Sequence, residues 1–319
     1  MSAYLSRRAA SSIVIIIGIS LLTFGMLHLV GGPPGRAVLG LKASPAAVAS
    51  WNRTHGYEDP FLEQYWNYML QVLQGNLGYS YKQNQTVNAA LAERAPISAY
   101  LSGLALVFSI VIALPVGIYQ AVRRNTLGDN LVTTGAFVTY SMPVFLLGLL
   151  LIQVFAISFP IFPAEASAAV SQNSSLVGAI TDPRAMVLPV LTLTLTSVAG
   201  YSRYMRSSAI DALAQDYIKA AKAKGLPERL VLWRHLVRNA CLPMITLIGL
   251  SIPALLAGNL IVENVFNYPG LGIMFVDALT SFDYPILLAY TLIGGVLTVV
   301  GNFVADIALT AADPRIRLA

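Results

Sequence analysis

The chain has few charged residues, a single cysteine and three histidines among its 319 residues. Only 11% of the residues are charged and 56% are hydrophobic, whereas about 25% of a soluble domain is charged. This composition excludes an ordinary soluble protein and indicates an integral membrane protein. The one cysteine, Cys241, excludes a disulfide within the chain, and its place beside an apolar run predicts a packing role.

Sequence motifs for nucleotide binding and catalysis are also absent. No glycine is followed by lysine, which excludes the G-x-x-x-x-G-K-[ST] phosphate loop. The sequence has no H-E-x-x-H, no paired cysteines and no G-x-S-x-G, and His28, His55 and His235 are scattered. We therefore expect no enzyme activity, metal or cofactor in this chain. The function classes that remain are a channel, a transporter and the membrane part of a larger assembly.

Long apolar segments predict an all-α membrane protein with about six transmembrane helices, since each span needs about 20 apolar residues. The first segment, Ala9–Val30, is uncharged and too long for the core of a signal peptide, so we expect it to remain as a span. The predicted spans lie near 9–31, 99–122, 130–157, 185–205, 241–262 and 285–309.

The lysines and arginines predict the orientation of these spans. They are concentrated before the first span, between spans two and three, between spans four and five, and after the last span. The positive-inside rule therefore places both termini in the cytoplasm. It makes 32–98 a long extracytoplasmic segment and 206–240 a long cytoplasmic one. Long ordered loops usually carry function, so we expect partners to bind there.

The stretch "DYIKAAKAKGLPERLVLWRHLVRNACLPMI" (216–245) is unusually charged for this chain. Its first part, Asp216–Lys224, predicts a short helix that Gly225 ends in a left-handed conformation. Pro227 then predicts a second helix, with Glu228 favouring its N-terminus. An apolar surface is expected there from Leu230, Leu232, Trp233, Leu236 and Val237. The hairpin could lie on anionic headgroups, or it could dock a soluble partner.

The same stretch resembles a family motif. "KAAKAKG" (219–225) is similar to the cytoplasmic E-A-A-x-x-x-G motif of binding-protein-dependent ABC importer permeases, with Lys219 where the general pattern has Glu. Residues 216–243 as a whole resemble the peptide and nickel importer branch of that family.

Four further segments carry this resemblance in the expected order. They are "DPFLEQYWNYMLQVLQGNLGYS" (59–80), "VENVFNYPGLG" (262–272), "DYP" (283–285) and "DPRIR" (313–317). Together they favour the first, B-type permease subunit of an oligopeptide or dipeptide importer. A nickel or metal-chelate importer of the same family is the alternative.

The resemblance implies one permease domain over 1–319 with the type I ABC importer permease fold, in a bacterial cytoplasmic membrane. It implies a second homologous permease subunit, two ATPase domains and an extracytoplasmic substrate-binding protein as partners. ATP and Mg²⁺ would then bind on the ATPase subunits. The residues implied to receive the ATPase are Lys219, Ala220, Ala221, Lys222, Lys224, Gly225, Leu226, Pro227, Glu228 and Arg229.

Residues near the outer end of the fifth predicted span are candidates for the translocation pathway. We expect an outer gate there, formed by Asn259, Glu263, Asn264 and Phe266. "YPGLG" (268–272) predicts a type II turn beside them. A second function class is an ion-coupled transporter that relays protons through Glu263 or Asp306, and a third is a membrane scaffold.

An aromatic group in the outer segment is expected mainly to pack and to anchor the chain at the interface. Contact with a peptide-binding protein is the functional alternative. The group comprises Tyr57, Phe61, Tyr65, Trp66 and Tyr68.

Overall fold

The computed structural model describes residues 2–31, 34–40, 42–167, 170, 176–257 and 259–312. The predicted C-terminal motif at 313–317 lies outside them. In chain order the first elements are α1 (Ser2–Gly31), α2 (Gly35–Leu39), α3 (Pro45–Thr54), α4 (Phe61–Leu73), β1 (Tyr79–Ser80), β2 (Gln85–Thr86) and α5 (Val87–Val122). The two short strands form an antiparallel hairpin that pairs Tyr79 with Thr86.

The second half begins with α6 (Leu127–Ser141) and α7 (Val144–Ile152), which continues as a π-helix over Gln153–Ser158. It then contains α8 (Leu176–Thr181), α9 (Pro183–Leu213), α10 (Asp216–Ala223) and α11 (228–240), whose middle is the π-helix Val231–Val237. The last helices are α12 (Leu242–Ala257), α13 (Leu260–Val265), α14 (Leu271–Ser281) and α15 (Tyr284–Ala312).

Four described helices are long and apolar enough to cross a membrane. They are Ser11–Leu29 of α1, the whole of α5 and α9, and Tyr284–Val304 of α15. At a rise of about 1.5 Å per residue, the 36 residues of α5 extend about 54 Å, which is longer than the hydrocarbon core. The α5 helix begins well before the predicted span at 99, because the hydroxyl of Thr86 accepts the backbone N–H of Ala89 and caps the helix at Val87.

Two of the predicted spans differ from the structure. The third, 130–157, is divided into α6 and α7, which are bent by 104° relative to each other. Pro143 has no backbone N–H, and it holds Met142 in an extended conformation, so the helix is interrupted there. The fifth, 241–262, is also not one helix: α12 has 16 residues and ends at Ala257, and α13 begins at Leu260.

The helices pack around α5 and α9, which lie against each other along much of their length. One apolar cluster at this pair includes Leu101, Leu188 and Phe266, and a second includes Met205 and Leu236. The close approach depends on Gly117, because a Cβ at that position would lie 2.6 Å from the Cβ of Met205. Small residues commonly allow such contacts between membrane helices.

The aromatic residues of α4 attach segment 32–98 to the first span. The ring of Phe24 on α1 contacts the rings of Phe61, Tyr65 and Tyr68 at centroid distances of 5.4, 5.6 and 5.9 Å. The hydroxyls of Tyr65 and Ser20 are 2.8 Å apart. The packing role predicted for Phe61, Tyr65 and Tyr68 is confirmed, whereas Trp66 on the same helix is exposed.

Candidate functional site: the coupling segment and the outer clasp

The helix α10 ends in the way that the sequence predicts. Gly225 has φ +74°, its backbone N–H donates to the carbonyl of Lys222 at 2.9 Å, and the N–H of Leu226 donates to the carbonyl of Ala221 at 3.4 Å. These two bonds form a Schellman motif, which requires a left-handed residue at the position of Gly225. No atom lies within 4 Å of a Cβ built on Gly225, so the glycine is needed for its backbone angle and not for space.

One face of α10 is buried in the chain itself. Ile218 and Ala221 are 1% and 5% exposed and pack with Met205 and Ala209 of α9. Ala221 is among the residues predicted to receive an ATPase, and its side chain faces the protein's own core, so that role stays a prediction. The helix is thereby fixed against the end of α9.

The remaining predicted coupling residues are accessible, except that Leu226 is half-buried. Ala223, which the sequence reasoning left out, belongs to the same surface because it is exposed on the same helix. The exposed members are Lys219, Ala220, Lys222, Ala223, Lys224, Gly225, Pro227, Glu228 and Arg229. The surface is therefore basic and contains two alanines and a glycine that leave the backbone open to close approach.

The next segment, α11, differs from the amphipathic helix expected for it. Val231 and Leu236 are buried, but Trp233 is 66% exposed and Leu230 is also exposed. The difference follows from the π-helix at Val231–Val237, whose i→i+5 hydrogen bonds change which side chains share a face. The hydroxyl of Ser208 on α9 donates to the carbonyl of Ala240 at 2.8 Å and connects the end of α11 to α9.

A buried ion pair lies near the same end of α9. Arg206 donates from Nη2 to Oδ2 of Asp129 on α6 at 2.8 Å, and Asp129 is 1% exposed. The carboxylate of Asp129 also accepts the backbone N–H of Asn125 at 2.9 Å and the hydroxyl of Thr133 at 3.2 Å. Sequence reasoning treated both charged residues only as indicators of topology. Their separation of 77 positions left no signal that they would pair.

A buried group of hydrogen bonds, the clasp, is centred on the carboxylate of Glu263. The Glu263 side chain is 0% exposed and accepts the hydroxyl of Ser98 at 2.7 Å, the backbone N–H of Asn259 at 3.0 Å and that of Gly272 at 2.6 Å. The Ser98 hydroxyl also accepts the N–H of Leu271 at 2.8 Å. The clasp therefore satisfies the first N–H groups of α14 and connects them to α5.

The turn before α14 is not the predicted type II turn. Gly270 has φ −94°, whereas a type II turn needs a positive φ at that position. Glycine is required here for space, because a Cβ would collide with the Ser98 hydroxyl and the Glu263 carboxylate. Gly272 is constrained in the same way, with a Cβ only 2.6 Å from Cα of Leu260.

The four predicted gate residues do not share one accessible surface. Glu263 and Phe266 are buried within the chain, Asn259 is half-buried and caps α13, and Asn264 is exposed. The amide of Asn264 donates to the carbonyl of Leu260 at 2.7 Å. The structure brings Asn259 and Glu263 together in the clasp, so a pathway role for the group remains a prediction.

A further polar contact joins the β-hairpin to the last span. The hydroxyl of Ser80 on β1 donates to the carboxylate of Asp283, which directly precedes α15. Burial raises the pKa of the Asp283 carboxyl above its ordinary value, while the bonds from Ser80 and from the backbone N–H of Ile286 act in the opposite direction. An Asp before a helix is a known capping signal, but nothing in the sequence identified Ser80 as its partner.

Comparison with known proteins places the chain in a family. Residues 113–318 match the family described as "Binding-protein-dependent transport system inner membrane component", and residues 1–102 match the family described as "Binding-prot-dependent transport system membrane comp, N-term". The chain is 36% identical to the oligopeptide transport system permease protein AppB of Bacillus subtilis, with 99% of each chain covered. It is 33% identical to the glutathione transport system permease protein GsiC of Salmonella typhimurium, with 98% of each covered.

A further relative and a solved structure are also similar to this chain. The chain is 33% identical, over the full length of both, to a Brucella ovis protein named "Putative peptide permease protein BOV_A0351". Among solved structures, the MetNI methionine ABC transporter in an inward-facing conformation matches with a TM-score of 0.55 at 16% identity, over 70% of this chain and 96% of the other. This likeness confirms the type I ABC importer permease fold. The chain therefore belongs to the family of binding-protein-dependent inner membrane permeases, as a multi-pass membrane protein.

Proposed function

We propose that this chain is the permease subunit of an ATP-driven importer of peptides. The observation that carries the proposal is the full-length similarity to permeases named for oligopeptide, glutathione and peptide transport. None of these three relatives is named for nickel or a metal chelate, so peptides are the better-supported substrate class. An ion-coupled mechanism through Glu263 fits less well, because three hydrogen bonds already hold that carboxylate in the clasp.

In this proposal, the accessible surface of α10 and the following turn receives a separate ATPase, which binds ATP and Mg²⁺. The lysines at 219, 222 and 224 and Arg229 favour an acidic groove on that partner. Because Ile218 and Ala221 fix α10 to α9, a displacement of α10 would move α9 as a rigid unit. Segment 206–240 would then be cytoplasmic, 32–98 extracytoplasmic, and both termini would lie in the cytoplasm.

The complete importer would contain a second permease subunit, two ATPase domains and an extracytoplasmic binding protein. This chain would provide half of the pathway and transmit the force. Since the family is defined by dependence on a binding protein, much of the substrate selection is expected outside the membrane.

The substitution Ala220→Trp tests the coupling surface. Ala220 is exposed on α10, so the large side chain would not disturb the core but would block close approach of a partner. We expect loss of ATPase co-purification and of ATP-dependent peptide uptake. The control is Ala214→Trp, since Ala214 is also exposed but precedes α10. Normal assembly and uptake by the Ala220→Trp complex would contradict the assigned docking surface.

A further inference from the structure

A cavity of about 800 Å³ lies in the outer part of the fold, away from both the clasp and the coupling segment. Its walls come from α1, α4, the turn around 55–59, the β-hairpin region and the start of α15. Small-molecule sites have volumes of about 300–1,000 Å³. The cavity is therefore large enough for a ligand of several amino acid residues.

One wall of the cavity is a row of side-chain amides on α4. Gln64, Asn67, Gln71 and Gln74 all line it, and their spacing of three and four positions places them on one helical face. The side-chain nitrogen of Gln64 donates to the carbonyls of Tyr57 and Asp59 at 3.2 and 2.7 Å. The structure shows no hydrogen bond from the side chains of the other three to any residue it describes, so their donors and acceptors are available.

Tyrosine side chains form much of the remaining wall. Tyr57, Tyr79, Tyr81 and Tyr284 line the cavity, and the rings of Tyr79 and Tyr81 meet edge to face with centroids 5.4 Å apart. Burial raises the pKa of the Tyr57 hydroxyl to about 12, so it remains a neutral hydrogen-bonding group at physiological pH. Phenol rings offer apolar faces for ligand side chains and a polar tip for hydrogen bonds.

The charge of the lining favours a ligand without net negative charge. No lysine or arginine lines the cavity, and its carboxylate, Asp59, forms no ion pair with the described part of the chain. A phosphate headgroup would therefore find no lysine or arginine to bind it there. A ligand with amide groups and a positive end fits the lining better.

We propose that this cavity binds a short peptide on the outer side of the permease, separately from the translocation pathway. The free amides of Asn67, Gln71 and Gln74 pair with the carbonyl and N–H groups of its main chain, and Asp59 binds its terminal ammonium. The tyrosines contact its side chains. This inference rests on the proposed function, because it makes the cavity a receiving site for the transported substrate.

The dimensions agree with this assignment. From Asn67 to Gln74 the helix rises about 10 Å at about 1.5 Å per residue. An extended chain rises about 3.4 Å per residue, so this row of amides matches about three residues of a peptide. Each amide offers two donors and an acceptor, which suits the alternating groups of a peptide main chain.

The test uses the full chain in lipid nanodiscs and saturation-transfer NMR with the tripeptide Ala-Phe-Ala, its N-acetyl derivative and maltotriose. The double variant Asn67→Leu with Gln71→Leu removes two amides at similar size, and Gln85→Leu removes an amide from a side chain that does not line the cavity. We expect the tripeptide to bind about tenfold more weakly to the double variant and unchanged to the control. Acetylating the N-terminus of the tripeptide and the substitution Asp59→Asn should each weaken binding. The two effects should not add, because both remove the same contact between the terminal ammonium and Asp59.

Equal binding to the wild type and the double variant would overturn the proposal. So would preferential binding of maltotriose, because amide and aromatic walls also suit sugars, or absence of tripeptide binding. Asn67 and Gln71 are exposed, so their replacement should not unfold the chain, and an unchanged melting temperature verifies this.

Uptake by the assembled transporter separates this inference from the proposed function. If the wild-type complex imports the tripeptide but the cavity variants bind it normally, only the cavity assignment fails. If the chain binds the tripeptide through the cavity but the wild-type complex imports no peptide with ATP, the proposed function fails and the cavity assignment stands.

Discussion

Ser80 and Asp283 lie 203 positions apart in the sequence, and the Ser80 hydroxyl donates a hydrogen bond to the Asp283 carboxylate. Both side chains are buried. The bond attaches the β-hairpin Tyr79–Thr86 to the N-terminus of α15, which is a membrane-spanning helix. Segment 32–98 is thus anchored both here and at the aromatic contacts between α4 and Phe24 of α1.

The substitution Ser80→Ala should destabilise this attachment. It leaves a buried carboxylate with one donor fewer, which costs about 1–3 kcal/mol. Thermal unfolding of the purified chain should show the loss, and limited proteolysis should cut the outer segment faster. Ser207→Ala is the matched control, because Ser207 is exposed. Equal melting temperatures for the two variants would show that the bond contributes nothing.

The stability of the same contact should depend on pH. The pKa of the Asp283 carboxyl is raised in the folded protein by burial, so folding favours its neutral form. This contribution is fully present below the ordinary carboxyl pKa and is lost as the pH rises through the raised pKa.

Asp283→Asn keeps a hydrogen-bonding side chain without the titration. The melting temperature of the variant minus that of the wild type should therefore increase as the pH rises from about 4 to about 8. If the melting temperature of the variant fell relative to that of the wild type as the pH rises, ionised Asp283 would stabilise the fold.

Two glycines should respond differently to the same change. Gly270→Ala places a Cβ against Ser98 and Glu263, so we expect severe loss of folded protein. Gly225→Ala meets no atom, but its φ of +74° costs about 1–2 kcal/mol for a residue with a Cβ. Yield and melting temperature of the purified variants measure both effects.

Asn tolerates the left-handed conformation better than Ala does. Gly225→Asn should therefore recover part of the stability that Gly225→Ala loses, and Gly270→Asn should recover none. A Gly270→Ala protein as stable as the wild type would show that the clasp is not as tightly closed as the structure describes.

The pair formed by Asp129 and Arg206 predicts a non-additive result. Arg206→Met alone leaves the buried Asp129 carboxylate without its cation, and we expect a loss of about 1–3 kcal/mol. Adding Asp129→Leu should recover part of it, because no buried charge then remains. A double-mutant cycle of unfolding free energies measures the coupling. Additive losses would exclude a direct interaction.

The sequence predicted the helices well where a single local rule decides the outcome. Apolar length identified the spans in α1, α5, α9 and α15. Gly225 was recognised as the end of α10 because helix formers precede it and a left-handed glycine commonly follows a helix. Membership of the permease family was also accessible, since its motifs are local stretches of sequence.

Features that depend on distant contacts were not accessible. Ala221 and Ala220 are neighbours of the same type, and only the position of α9 decides which one is buried. For Glu263, which is expected at an outer gate, nothing in the sequence indicated its hydrogen bonds with Ser98 and Gly272. Pro143 was a visible helix breaker, yet the 104° bend it produces depends on how α6 and α7 pack.

The most direct test of the central claim is uptake of a labelled tripeptide by proteoliposomes that contain this chain with the second permease, the ATPases and the binding protein proposed for the complete importer. We predict accumulation that requires ATP, is absent for the chain alone, and is lost with Ala220→Trp but kept with Ala214→Trp. Peptide accumulation by the chain alone under an imposed proton gradient, without ATP or the ATPases, would contradict the account.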